Sequence, residues 1–113
     1  LHIIDFHNEH FAKLVVIGER APASLQKYRR VKDIIGEFNK RYYGKTDYDV
    51  EKIGSAYLYN LEQFMKFEVE YNGIKGIKNN SIVKYFKNLK TICNYAIKFE
   101  LILKNPINLY SSP

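Results

Sequence analysis

Apolar residues recur along this chain at three- and four-residue spacings, the period of amphipathic helices. From about His2 to Glu19, Ile4, Phe11, Leu14 and Val15 share one side with His7, and Gly18 and Pro22 close the segment. A second stripe, Tyr28, Val31, Ile35, Phe38 and Tyr42, follows Pro22-Ala23-Ser24. Ser24 there suits an N-cap or first-turn position. The opposite face carries Gln26, Arg29, Arg30, Asp33, Glu37, Lys40 and Arg41, and Gly44 ends the helix. A third stripe, Leu58, Leu61, Met65 and Val69, spans Ser55 to about Tyr71 and stops at Asn72-Gly73. The fourth helix starts at Asn79 or Asn80 and runs to about Glu100. Ile82, Phe86, Leu89, Ile92, Cys93 and Ala96 fill one of its faces. At about 100° per residue, Lys84, Lys87, Thr91, Asn94 and Lys98 fall together on the other, with Lys90 at the edge.

Between these segments, Lys45 to Gly54 reads as a connecting loop with a short extended piece. A lone strand there has no partner, so no sheet is expected. Gly73 to Asn80 is a loop of turn residues. Its Gly73 and Gly76 lack the Gly-Lys-Ser/Thr tail of a phosphate-binding loop. Four helices with short connections predict a compact all-α bundle in one domain. Asn108 to Pro113 reads as the start of a linker.

The chain has 113 residues and a formal net charge of +6. The charge has an address: residues 1–74 sum to zero, and all of the excess lies in residues 75–113, where Glu100 is the one acid. A localised basic stripe suits a polyanion, because each neutralised phosphate releases condensed counterions. Ile, Lys, Asn and Tyr make up about two-fifths of the chain, a drift typical of AT-rich coding. Such drift would spread lysines evenly, whereas these are concentrated. The single cysteine, Cys93, cannot form an internal disulfide, which points to a reducing, cytoplasmic setting. No apolar run approaches the roughly 20 residues of a membrane span, so no membrane partner is expected. A chain opening on Leu1 and closing on Pro113 is expected to be a piece of a longer protein.

Chemistry-bearing residues are present without forming a catalytic set. His7 and His10 could face one ion with Glu9 nearby, but a structural zinc needs about four ligands and Cys93 lies in a core stripe. No metal or cofactor is expected, nor a small-molecule substrate. The ten tyrosines read mainly as core and rim packing, with Tyr28 and Tyr42 on apolar stripes and Tyr57 and Tyr95 half-exposed. Asp47, Asp49 and Glu51 read as solvated and capping acids of a loop.

The stretch Ala21 to Arg30, with Phe38, resembles the opening of the core-binding domain of tyrosine recombinases. Asn80-Ser81-Ile82-Val83-Lys84-Tyr85-Phe86-Lys87-Asn88-Leu89-Lys90 is similar to that domain's last-helix pattern. Ala96, Leu101-Ile102 and Asn105-Pro106 match its exit signature. The likeness spans about residues 2–110, and the Lys- and Tyr-rich variant looks most like integrases of conjugative transposons or prophages of the Bacteroides group. Three departures stand out: Lys32 at a position often aliphatic, Glu100 in place of the usual Gly, and a long loop over residues 72–79.

The resemblance implies a four-helix SAM-like bundle of two crossed helical hairpins. It also implies one half of a clamp on double-stranded DNA, with other recombinase subunits as partners. Residues 1–110 would form the core-binding domain, and residues 111–113 the start of a linker to a separate catalytic domain that carries the chemistry. The expected DNA contacts are Ser24, Lys27 and Arg30 from the second helix, and Lys78, Asn80, Ser81, Lys84, Lys87 and Lys90 at and along the fourth. Free backbone N–H groups at Asn80 and Ser81 would meet a phosphate. The competing expectation is a helical protein–protein module whose Tyr and Phe surplus forms a docking surface. A self-sufficient small enzyme is the least expected.

Overall fold

In a computed structural model, which describes residues 2–71 and 73–110, four helices pack around one core: α1 (His2–Val16), α2 (Pro22–Tyr43), α3 (Ser55–Phe67) and α4 (Asn79–Lys98). The α1–α2 and α3–α4 pairs are each in contact, and α4 also lies against α1 and α2. The fold is the all-α arrangement expected.

Each helix ends for a visible reason. Pro22 opens α2 from the extended Ala21, a position that needs no N–H, and Ser24 sits in the first turn without capping through its side chain. Helix α1 stops at Val16, three residues before the expected Glu19. Gly18 takes φ +81°, and the N–H groups of Gly18 and Glu19 return to the Val15 and Leu14 carbonyls in a Schellman closure. The α4 terminus repeats that closure. There, Glu100 and Leu101 N–H bond to the Ile97 and Ala96 carbonyls, and Glu100 takes the left-handed φ of +61°.

The stripes reach the core unevenly. All six apolar positions named for α4 are buried, and the α2 stripe gains Leu25 and Ile34. Tyr42 leaves it: its ring is exposed and its hydroxyl donates to Glu68 Oε2 at 2.5 Å. In α1 only Ile4 is a fully buried apolar residue, while Phe11, Leu14 and Val15 are half-buried. Lys32, at a position where an aliphatic residue was expected, pairs with Asp5 at 2.6 Å and ties α2 to α1 across the surface. Tyr57 is buried, not half-exposed. Its hydroxyl donates to Asn39 Oδ1 at 2.6 Å, and burial raises its pKa. Asn39 Nδ2 donates in turn to the Thr46 carbonyl, so this one buried amide joins α2, the following loop and α3.

Three connections differ from expectation. The loop over residues 45–54 contains a 3-10 turn, Val50–Lys52, capped by Asp49, whose carboxylate accepts from Glu51 N–H at 3.0 Å. Helix α3 ends at Phe67 and not at Tyr71, because a short antiparallel hairpin follows: β1 (Glu70–Tyr71) pairs with β2 (Ile74–Lys75), Glu70 opposite Lys75. Of the Asn72-Gly73 pair expected to stop a helix, Gly73 stands between the strands at φ +78°, and Asn72 lies outside the described residues. The exit segment packs on the bundle as far as Tyr110, through a second 3-10 turn, Pro106–Leu109. Ile107 is buried, and the Tyr110 ring stacks on Phe86 at 3.8 Å between centroids. The expected linker therefore does not begin at Asn108, and residues 111–113 lie outside the described residues.

Candidate nucleic-acid interface

The nine residues expected to contact DNA fall on the outward face of α4, in a groove beside α2 and at the entry to α4, with Ser24 in the first turn of α2. On that face of α4, Lys84, Lys87 and Lys90 are exposed beside Thr91, Asn94 and Lys98. Burial of the entire apolar stripe fixes this face outward, since a helix that commits six residues to the core cannot rotate them away. The groove measures about 670 Å³, and in it Lys27 and Arg30 of α2 face Ile74, Gly76 and Ile77 of the hairpin region, with Tyr85 contributed by α4. Ser24 is half-buried in the first turn of α2.

The entry to α4 differs in detail from expectation. Lys78 is the N-cap, and it caps without its side chain. Ser81 and Ile82 N–H both bond to the Lys78 carbonyl at 3.0 Å, so the Ser81 N–H is already committed. The open N–H groups at this end belong to Asn79 and Asn80, because the first turn of a helix lacks intrahelical acceptors.

Electrostatics separate this face from the rest of the molecule. The ion pairs among the described residues are Asp5–Lys32, Glu68–Arg41 and Glu62–Lys66. None involves a lysine of α4 or of the loop that enters it. All three pairs draw their acids from α1, α3 and the residue that ends α3, whereas the last third of the chain holds Glu100 as its one acid beside seven lysines.

Other chemistry-bearing groups are absorbed by packing. The buried His7 sits at the seam of α1, α2 and α4 among Phe11, Tyr28 and Tyr95, with its Nδ1 2.9 Å from Asn8 Oδ1. His10 Nδ1 meets the Tyr95 hydroxyl. Among the described residues no group of three His, Cys, Asp or Glu side chains is placed to hold a metal ion. Cys93 lies in the core, where burial pushes its thiol up to about 12, far from a reactive thiolate. Among the described residues no helix is long and apolar enough to cross a membrane.

Sequence reasoning missed two polar staples that position the site. Asn39 is one. Asn105 is the other: its Nδ2 donates to the Lys90 carbonyl at 3.0 Å and to Asn94 Oδ1 at 2.9 Å, and its Oδ1 accepts from Ile107 N–H at 3.0 Å. The Asn-Pro pair thus has a physical reason, with Asn105 fastening the exit segment to α4 and Pro106 opening the final turn. The signal for Asn105 was present in the exit signature; nothing local marks Asn39.

No curated protein and no solved structure gives a significant match to the chain. The phage integrase SAM-like domain matches it over residues 2–111. With the all-α bundle and the basic fourth helix in place, that match assigns the chain: it belongs to the phage integrase SAM-like domain family and is the N-terminal SAM-like domain of a phage-type integrase.

Proposed function

We propose that this domain grips duplex DNA at the core site of a tyrosine recombinase and holds it for a separate catalytic domain, with no chemistry of its own. The observation that carries the reading is the unpaired lysine face of α4. Lys84, Lys87 and Lys90 have no acidic partner among the described residues, and the domain's excess charge lies in the same third of the chain. Lys27, Arg30 and Lys78, with Ser24, Asn80 and Ser81, extend the contact toward α2 and the α4 entry. Lysines act as point charges, so most of these contacts position the duplex and do not read it. The buried state of Cys93 and His7 supports a non-catalytic role for this piece. Proximity to DNA in the cytoplasm and contact with further recombinase subunits belong to the same reading.

A second reading, docking of another protein, draws on an apolar groove of about 560 Å³ between Val50–Lys52 and the exit segment, where Leu103 and Leu109 are exposed. Fluorescence anisotropy on duplex DNA over a series of salt concentrations separates the two. Phosphate binding requires a steep negative log–log slope, about −0.9 per phosphate neutralised. Lys84→Ala and Lys87→Ala should each flatten it by about one such step. A salt-insensitive interaction, or none at low salt, would refute the DNA reading.

A further inference from the structure

The hairpin between α3 and α4 carries an isoleucine whose placement the fold does not require. Ile74 is 70% exposed, yet the segment that presents it is firmly anchored. Gly76 N–H bonds to the Val69 carbonyl at 2.7 Å and Ile77 N–H to the Met65 carbonyl at 2.8 Å. Val69 is buried, and Ile77 packs on the core. Gly76, at φ +94°, presses so closely on α3 that a Cβ there would stand 2.3 Å from the Lys66 carbonyl oxygen. The chain thus uses a glycine, two long-range backbone bonds and a pair of strands to hold an apolar side chain out in water.

The surroundings say what that side chain could meet. Ile74 lines the same groove as Lys27 and Arg30, with Tyr85 contributed by α4. Lys75 follows it, opposite Glu70 in the strand register, and exposed Lys78 follows the turn. A docking face for a protein would gather several apolar residues into one patch. Here Ile74 is the one exposed large apolar side chain lining the groove, Ile77 and Tyr85 being half-buried, and Lys27 and Arg30 line it as well. That combination fits nucleic acid, whose minor groove accepts apolar wedges against its base steps while cations take the flanking phosphates.

We propose that the α3–α4 hairpin is a minor-groove probe, with Ile74 as its wedge, working beside the lysine face of α4. The inference rests on the DNA-binding reading above and adds to it an element and a groove. Rigidity is the point of the anchoring, since a wedge on a loose loop would fold back rather than enter a base step.

The test uses this chain, an A·T-rich duplex and netropsin, a small ligand that fills the minor groove. Ile74→Ser keeps the charge and, at an exposed site, the fold, which circular dichroism melting verifies. Netropsin should weaken wild-type binding. Ile74→Ser should bind about ten-fold more weakly, with the salt slope of wild type, and should be indifferent to netropsin. If wild type binds with a steep salt slope but Ile74→Ser matches it, or netropsin has no effect, the hairpin inference falls and the DNA reading stands. If wild type fails to bind at low salt, the DNA reading falls and takes this inference with it.

Discussion

Glu100 holds a backbone conformation that suits glycine. At φ +61° a Cβ crowds the neighbouring carbonyl, at a cost of about 1 kcal/mol or more. The same closure at the end of α1 uses Gly18. Glu100→Gly should therefore stabilise the domain by about 1 kcal/mol, read as a rise in the urea midpoint at moderate salt, where the lost charge matters little. The departure from the family's usual Gly was visible in the sequence, but its meaning needed the dihedral. His7 makes a second prediction at this scale. Burial holds its imidazole below the ordinary value, with the Asn8 hydrogen bond opposing and His10 assisting. As pH falls through about 6.5, the unfolded chain takes up the proton first. Stability is thus complete above that pH and declines below it, until the folded-state value is reached. The slope should be at most about 1.4 kcal/mol per pH unit. Urea unfolding at pH 7.5 and at pH 5.5 should show the loss, and His7→Gln should remove this contribution.

At the scale of elements, the buried face of α4 was legible in the sequence, though not its caps. Its apolar residues keep one helical face over about four turns, and every one of the six is buried. The end of α3 was not. Val69 continues the helical stripe and also fits a short strand, so local pattern favoured helix as far as Tyr71. What decides the matter is tertiary: Val69 and Met65 carbonyls accept from Gly76 and Ile77, and only glycine tolerates the approach to Lys66. The exit segment depends on Asn105. Asn105→Ala leaves the buried Ile107 N–H without its acceptor and frees the Lys90 carbonyl, and should cost about 2 kcal/mol. Amide exchange is the sharper measurement. Ile107 should lose protection, while amides near Ile92, in the core of α4, should keep theirs.

For the whole molecule, charge and structure divide the chain in the same place. The first 74 residues are neutral and supply α1–α3 and the first hairpin strand, with the acids that pair surface cations. The remainder supplies seven lysines against one acid, Glu100. That division could be read from composition, which is why the lysine face was foreseen. The groove was not, because it exists only where the hairpin comes to stand opposite Lys27 and Arg30, more than forty residues earlier in the chain. Periodicity reports what lies along one helix; it carries no information on which elements meet.

The fastening of the exit segment gives the domain a mechanical character. Asn105 grips α4 at Lys90 and Asn94, within the outward basic face, and Tyr110 lies flat on Phe86. Force applied at Tyr110 would load these contacts before any helix could slide. A pull from that side would therefore turn the lysine face as a rigid lever, until the Asn105 clasp let go.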